Sequence, residues 1–192
     1  MDTIVNNKPV TRCGWCTGDP LYEKYHDEEW GKPVYYDATL FEFLLLETFQ
    51  AGLSWITILR KRENFRKAFD DFDYKKIASY NQDKTEELLQ DAGIIRNRLK
   101  VAAAVTNAQA FMKVQDEFGS FSNYFWGFTD GKPIDNKFKT LKDVPATTSL
   151  SDTISKDMKK RGFKFVGSTV IYAHMQATGM VNDHVMDCWT RK

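Results

Sequence analysis

The stretch RCGWCTGDPLYEKYHDEEWG, residues 12–31, carries an unusual density of metal-binding and aromatic side chains. It contains Cys13 and His26, and near the other end of the chain three residues separate His184 from Cys188, so that one helical turn or tight loop can present both. Thiolate sulfur and neutral imidazole nitrogen are typical ligands of tetrahedral zinc. We therefore expect one structural zinc ion that joins the two ends of the chain, because four protein ligands leave no position for water. The alternative is a coincidence of two surface histidines and two buried cysteines.

The cysteine count supports reduced thiols. Three cysteines are few and odd in number, which argues against a disulfide framework. Residues 13–16 (CGWC) also match the CxxC pattern of redox dithiols. That pattern normally lies between a strand and a helix, whereas Asp19-Pro20 follows here. Cys16 is therefore expected to lie outside the metal site, with the redox function as the alternative.

Length and composition limit the class of protein. A chain of 192 residues with a 42% hydrophobic share can form one compact domain or two closely joined lobes. No apolar run resembles a signal peptide or a membrane span, so we expect a cytoplasmic protein without a membrane partner. The formal net charge is only +1, but basic residues cluster at 60–67, 96–100 and 156–164. These clusters form either a stripe for an acidic partner or ordinary solvated helix faces.

Apolar spacing and capping residues predict an all-α fold. The predicted helices run from Asp37, as a cap, to Gln50, from Ser54 to Phe69, from Thr85 to Ala92, from Asn97 to Phe118, from Leu150 to Arg161 and from Ser168 to Thr178. Residues 1–11 look like a loose leader, residues 120–128 are an aromatic block typical of a core, and residues 130–148 form a connector. No convincing alternation indicates a strand.

Glu47 is the strongest functional candidate in the residue pattern. The helix around it is apolar on every side, and an ionised carboxylate is costly there unless it is paired or functional. The alternative is a Glu47 that faces solvent or pairs with an arginine. Trp55 follows eight residues later, across the turn formed by residues 51–53.

Residues 89–100, LQDAGIIRNRLK, have the pattern of a helix, a glycine turn and a second helix. The amides of such a turn and the N-terminus of the following helix can bind phosphate without reading base sequence. We expect Gly93 to use a positive φ in this turn and Lys100 to contact phosphate. An ordinary αα-hairpin uses the same residues and remains the alternative.

A series of motifs in one order resembles the 3-methyladenine DNA glycosylase I family of the helix-hairpin-helix glycosylase superfamily. The motifs are RCGW (12–15), DPLY (19–22), YHD (25–27), EWG (29–31), Glu47 with QAGLSW (50–55), KREN (61–64), DAGIIR (91–96), KRGFKFVG (160–167) and VNDH (181–184). The resemblance implies a helical helix-hairpin-helix glycosylase fold in which zinc joins the terminal segments. On this basis residues 1–36 and 120–192 would form a zinc-binding lobe and residues 37–119 a helix-hairpin-helix lobe.

The resemblance also implies hydrolysis of the N-glycosidic bond of 3-methyladenine in alkylated double-stranded DNA, with the free base as product. It implies neither a Schiff-base lysine nor a catalytic aspartate downstream of the hairpin, and therefore base removal without strand cleavage by what we expect to be a monomer. Alkylation at N3 already makes adenine a good leaving group. The pocket then mainly has to flip out, recognise and hold the lesion.

The same resemblance assigns roles to residues of this chain. Glu47 is the expected catalytic residue and also accepts hydrogen bonds from the amino edge of the base. Aromatic faces that favour a cationic purine would come from Trp55, Tyr25, Tyr22 and Trp15. Leu53 would act as an apolar wedge in the DNA. The other expected DNA-binding residues are Gly52, Gly93, Arg96, Arg98 and Lys100.

Three other functions fit parts of the pattern. A zinc-structured DNA-binding module without catalysis would need the same hairpin and basic clusters, and release of free base from methylated DNA distinguishes it from a glycosylase. A zinc hydrolase with Glu47 as general base is disfavoured by four protein ligands. The third is a helical interaction protein with no role on DNA.

Overall fold

Helices form most of the chain in the computed structural model, which describes residues 3–5 and 8–191. The α-helices are α1 (Pro20–Glu28), α2 (Asp37–Gln50), α3 (Trp55–Ala68), α4 (Tyr74–Ala78), α5 (Gln82–Gln90), α6 (Arg98–Phe118), α7 (Phe121–Gly127), α8 (Ser149–Lys160) and α9 (Ser168–Ala177). Short 3-10 turns lie at Asp70–Phe72, Leu141–Asp143 and Trp189–Arg191. Within the described ranges, no helix is long and apolar enough to cross a membrane.

Two small sheets accompany the helices and correct the expectation of a chain without strands. The strand β1 (Thr3–Val5) pairs antiparallel with β2 (Lys8–Val10), so this part of the predicted leader is a hairpin; residues 1, 2, 6 and 7 of the leader lie outside the described residues. In the predicted connector, β3 (Ile134–Asp135) pairs parallel with β4 (Val181–Asn182). Strands of two or three residues are too short to show alternation in a sequence.

The helix α2 lies at the centre of the molecule. Every residue from Leu40 to Phe49 is buried, and the helix contacts α3, α6, α7 and α9. A helix that is apolar on all sides can only be stable when neighbours cover all of its faces. The elements on either side of α2 therefore share one continuous hydrophobic core.

Asp37 differs from its expected role as the cap of α2. It is the first residue of the helix, and its carboxylate accepts hydrogen bonds from the amides of Phe121, at 2.9 Å, and Ser122, at 2.8 Å. These amides belong to the first turn of α7. The first N–H groups of a helix have no partner within the helix. At the start of α7, the carboxylate of Asp37 accepts hydrogen bonds from two of them, although Asp37 is distant in the chain.

The aromatic block predicted as core is α7, where Phe121, Tyr124, Phe125 and Trp126 are buried. On α9, His174 is fully buried, and its Nε2 donates to the carbonyl oxygen of Leu40 at 3.0 Å. Burial lowers the pKa of His174 to about 4, so the imidazole is neutral at physiological pH. This histidine joins α9 to α2 as a core residue.

Lys100 is buried, whereas the sequence predicted that it contacts phosphate. Its Nζ donates to the carbonyl oxygens of Phe49, at 2.8 Å, and Ala51, at 2.7 Å, at the C-terminal end of α2. Burial lowers the pKa of this ammonium group. The last carbonyls of a helix lack intrahelical donors and carry partial negative charge, which explains why a cation is stabilised here.

We expect Lys100→Met to lower the free energy of unfolding by about 1.5 to 3 kcal/mol, because the substitution removes charged hydrogen bonds from the buried carbonyl of Phe49 and the partly buried carbonyl of Ala51. Urea denaturation measures the loss. Lys113→Met, at an exposed position of the same helix, is the matched control. Equal stability of the two variants would contradict a structural role for Lys100.

Candidate functional site

The first candidate site is the buried cluster of Cys13, His26, His184 and Cys188, whose ligand atoms all lie within 4.8 Å of one another. The Sγ atom of Cys188 is 3.4 Å from Nε2 of His26 and 3.6 Å from Nδ1 of His184, and the two nitrogen atoms are 3.2 Å apart. Tetrahedral bonds of about 2.3 Å to sulfur and about 2.0 Å to nitrogen would place ligand atoms about 3.3 to 3.8 Å apart. These four residues can therefore hold a tetrahedral metal ion.

Hydrogen bonds outside the cluster orient both imidazoles. Nδ1 of His26 lies 2.8 Å from Oδ1 of Asp27, which in turn forms an ion pair with Arg12. Nε2 of His184 lies 3.1 Å from the carbonyl oxygen of Trp30. Each ring thus donates one N–H outward and directs the lone pair of its other nitrogen to the cluster, as metal-binding histidines usually do.

Each of the two thiols of the cluster shifts the pKa of the other. The hydrogen bond to Cys188, together with burial, raises the pKa of Cys13, whereas the hydrogen bond from Cys13 lowers the pKa of Cys188. The protein alone thus favours one thiolate and one thiol, and a divalent cation would allow both sulfur atoms to ionise. Cys16 is also buried, but its Sγ donates to the carbonyl oxygen of Cys13 at 3.1 Å, and it does not belong to the cluster.

Gly31 allows the chain to pass directly beside the cluster. Its φ is +76°, and a Cβ atom at this position would lie 2.8 Å from Nε2 of His184. Both the backbone conformation and the close approach to the imidazole require glycine.

The second candidate site is a cavity of about 340 Å³. The structure brings together here all five residues expected to bind a base, and several others. The lining residues are Trp15, Tyr22, Tyr25, Trp30, Glu47, Gln50, Trp55, Leu141, Val144, Ala173, Gln176 and Asp183.

Glu47 is buried in the wall of this cavity, and its Oε2 has no hydrogen-bond partner among the described residues. Burial raises the pKa of Glu47 to about 8. The arginine partners considered for this residue belong instead to Glu42, whose Oε1 accepts from Arg62 at 2.7 Å and from Arg66 at 2.9 Å. Two carboxylates of one helix therefore differ: one is neutralised by arginines and the other is available to a ligand.

Aromatic rings form the remaining wall around Glu47. The ring centroids of Tyr25 and Trp55 are 5.5 Å apart, and those of Trp15 and Tyr22 are 4.8 Å apart. Burial, and then the charge of Glu47, raises the pKa of Tyr25 well above its usual value. The indole Nε1 of Trp55 is buried and has no acceptor in the part of the chain that the structure describes. A flat cation that carries hydrogen-bonding groups is the ligand that suits such a cavity.

Several lining residues were not found from the sequence. Gln50 lies one helical turn after Glu47, a spacing that would have indicated it. Asp183 belongs to the VNDH motif but was not singled out, and Gln176 gave no signal apart from its place on α9. Leu141 and Val144 come from the predicted connector, where only the folded structure reveals their position.

Apart from the buried Lys100, the residues expected to bind DNA lie in or next to two loops. Gly52, at φ +83°, and Leu53, which is 40% exposed, form the turn between α2 and α3, next to the end of the helix that bears Glu47. Arg96 and Arg98 are exposed where the α5–α6 loop meets α6, and Arg98 forms an ion pair with Glu86.

Gly93 lies in the same loop but does not have the expected positive φ. A Cβ atom at this position would lie 2.8 Å from Oδ1 of Asp91 and 3.1 Å from Cβ of Asn64. The close packing of the loop against α3 therefore requires glycine here. Lys61 of α3 reinforces the packing, because its Nζ donates to the carbonyl oxygens of Ala92 and Gly93.

Comparison with known proteins identifies the relatives of this chain. Residues 15–192 match the family described as methyladenine glycosylase. The chain is 50% identical to DNA-3-methyladenine glycosylase 1 of Escherichia coli (strain K12), over 93% of this chain and 96% of that protein. It is 47% identical to DNA-3-methyladenine glycosylase of Haemophilus influenzae, over 93% and 97% of the two chains. The solved 3-methyladenine DNA glycosylase I from Staphylococcus aureus, studied for its recognition of 3-methyladenine, superimposes with a TM-score of 0.91 at 36% identity, over 94% and 96% of the chains.

The raised pKa of Glu47 predicts a specific pH dependence of stability. Between the pKa of an ordinary glutamate, 4.5, and the folded value of about 8, the folded protein holds a proton that the unfolded chain has lost. Stability therefore falls as pH rises through this window, by about 1.4 kcal/mol per pH unit for this one group. The variant Glu47→Gln cannot titrate at this position, so its stability does not fall for this reason.

We expect the parent to lose about 2 to 3 kcal/mol of unfolding free energy relative to Glu47→Gln when the pH is raised from about 5.5 to about 7.5. Chemical denaturation at both pH values measures it, with the exposed Glu28→Gln as control. A difference that is constant with pH would mean that Glu47 is ionised in the folded protein throughout.

Proposed function

The chain belongs to the methyladenine glycosylase family, and we propose that it excises 3-methyladenine from alkylated DNA after binding the flipped base between Glu47 and Trp55. The observation that carries this proposal is the buried carboxylate with a free oxygen in an aromatic cavity. As a DNA glycosylase the enzyme is a hydrolase of N-glycosyl bonds.

Charge selects the lesion. Methylation at N3 gives a sugar-linked adenine a positive charge that normal adenine lacks. The faces of Trp55 and Tyr25 attract a cation more strongly than a neutral purine. Tyr22 and Trp15 complete the aromatic surroundings, and the nucleotide has to leave the helix stack to reach a cavity of this depth.

Glu47 takes part in both recognition and catalysis. Burial alone favours the neutral form of Glu47, whereas a cationic base beside it favours the carboxylate. The carboxylate accepts a hydrogen bond from the amino edge of the base. Its negative charge also stabilises positive charge that develops on the sugar as the N-glycosidic bond breaks.

The proposed reaction removes the base without cutting the strand. Strand cleavage by glycosylases of this superfamily would need an amine nucleophile at the sugar. Among the described residues, the lining of the cavity includes no lysine. Water is then the nucleophile, and the cationic base is a leaving group that needs little further activation.

The helix-hairpin-helix part of the proposal rests on α5, the loop from Asp91 to Asn97, and α6. In this loop the N–H groups of Ile95 and Arg96 have no acceptor among the described residues. Free amides at the start of a long helix suit a DNA phosphate. Arg96 and Arg98 would add charge, and Leu53 would enter the gap left by the flipped base.

Zinc and the two lobes complete the proposal. The ion would be held by Cys13, His26, His184 and Cys188, where it would fix the fold and take no part in the reaction, since four protein ligands leave it no open position. Residues 1–36 and 120–192 would form the zinc-binding lobe, and residues 37–119 the helix-hairpin-helix lobe. We propose that the enzyme acts as a monomer in the cytoplasm.

Chromatography of the bases released from methylated duplex DNA tests the function directly. We expect the purified protein to release free 3-methyladenine and to leave the strand intact on a denaturing gel. Binding to the duplex without release of any base would support a DNA-binding module and overturn the glycosylase.

The recognition site is tested by the binding of free 3-methyladenine, measured above pH 8 so that Glu47 is ionised. We expect Glu47→Gln to weaken binding about tenfold to a hundredfold, because charged hydrogen bonds contribute about 1.5 to 3 kcal/mol. Trp55→Ala should weaken binding to a similar degree through the loss of stacking on the indole, worth about 1 to 3 kcal/mol. Tight binding by Glu47→Gln together with a steep loss of excision would instead assign Glu47 to the transition state alone.

The metal site is tested by elemental analysis and thermal melting. We expect one zinc ion per chain in the parent and in Cys16→Ala, and loss of zinc with a much lower melting temperature in Cys188→Ala. Structural zinc in small domains contributes on the order of 10 kcal/mol, so the contrast between the two cysteine variants should be large. Full metal content in Cys188→Ala would refute the ligand set.

A further inference from the structure

Gln176 reaches the cavity from the side of α9. It lines the same cavity as Glu47, together with Ala173, which lies one helical turn earlier. Its backbone carbonyl accepts a hydrogen bond from the amide of Gly31 at 3.0 Å. Its side-chain Nε2 donates to Oδ2 of Asp183 at 2.8 Å.

Asp183 fixes the orientation of that amide. The carboxylate is fully buried; its Oδ2 also accepts from the hydroxyl of Tyr172 at 2.6 Å, and its Oδ1 accepts from Nδ2 of Asn136 at 2.7 Å. With three donors around it, Asp183 acts only as an acceptor, and Oε1 of Gln176 cannot replace Nε2 without facing a carboxylate oxygen. The side chain therefore leaves its Oε1 free, and no described residue donates to this atom.

We propose that Gln176 is a specificity-determining residue, whose Oε1 accepts a hydrogen from the amino group at C6 of the bound 3-methylpurine, and that Asp183 is the positioning residue that holds it in this orientation. The inference rests on the proposed function of the cavity. An amino group at C6 has two hydrogens, and Glu47 and Gln176 together supply two acceptors.

This arrangement distinguishes between lesions that charge cannot separate. Methylation at N3 of guanine produces a cationic purine of nearly the same shape as 3-methyladenine, so the aromatic walls and the carboxylate attract both. Guanine has a carbonyl oxygen at C6 and no hydrogen to donate there. The carbonyl oxygen at C6 of guanine is repelled by the two acceptors, whose orientations are fixed. It also leaves both acceptors without a hydrogen bond. A polar site discriminates strongly against a base that leaves its buried groups unpaired.

The test compares the release of 3-methyladenine and 3-methylguanine from one sample of methylated duplex DNA under single-turnover conditions. We expect Gln176→Met to reduce the ratio of the two release rates about tenfold, because the variant loses the acceptor and keeps the volume. Gln109→Met, the same substitution at an exposed position of α6, should keep the parent ratio. Because both bases come from one reaction, their ratio does not depend on the fraction of enzyme that is folded.

A second variant separates orientation from the mere presence of the amide. In Asp183→Asn the new side chain can donate to Oε1 of Gln176, so the glutamine amide can turn and present its Nε2 to the cavity. We expect this variant to lower the ratio in favour of 3-methylguanine although Gln176 is intact. Zinc content and melting temperature, measured on the same preparations, record any effect on the neighbouring metal ligand His184.

The proposal is overturned if Gln176→Met and Asp183→Asn slow the release of both bases equally, since a residue that only supports the wall would leave the ratio unchanged. A parent protein that releases neither base would overturn the proposed function, and this inference with it. Release of 3-methyladenine by the parent with an unchanged ratio in both variants would overturn the role of Gln176 alone.

Discussion

The structure depends on the contact between the two ends of the chain at the four-residue cluster. Cys13 and His184 are 171 positions apart, and His26 and His184 are 158 apart. Closing so long a loop costs conformational entropy, which favourable interactions at the closure must offset. Buried thiols and imidazoles with ligand geometry supply such an interaction when a metal ion is bound, and the amide of Trp189 adds a backbone hydrogen bond to Thr11 at 2.9 Å.

The same contact builds the cavity, because neighbouring residues of the chain serve the two sites. His26 belongs to the cluster, whereas the preceding Tyr25 lines the cavity; His184 belongs to the cluster, whereas the preceding Asp183 lines the cavity. Fixing each histidine therefore also fixes a wall of the binding site. A metal ion held by this cluster would therefore support the cavity walls without contacting a ligand in the cavity.

Local environment, and not residue type, sets the role of each polar group in this helical fold. Glu42 and Glu47 belong to one helix, yet two arginines hold the first and the second has a free oxygen. Lys100 lies close to a predicted phosphate-binding loop but donates to the end of α2. Buried polar groups take whatever partner the tertiary structure brings within reach, because an unpaired one is costly.

The sequence by itself determined the helices α2, α3, α5, α6, α8 and α9, the central place of α2 and the four members of the buried cluster. Through the family resemblance it also determined the five aromatic and acidic residues that meet in the cavity, whereas it did not predict α1 and α7. Apolar periodicity indicates which helix faces must be covered by other elements, and the spacing of cysteine and histidine indicates which side chains can bind the same metal ion. Only the tertiary structure decided that Asp37 caps α7, that Lys100 is buried, that crowding rather than positive φ requires glycine at position 93, and that the side-chain amide of Gln176 donates to Asp183. Each of these features depends on contacts between distant parts of the chain. Only folding brings those parts together, so no local pattern of residues shows toward which partner a side chain points.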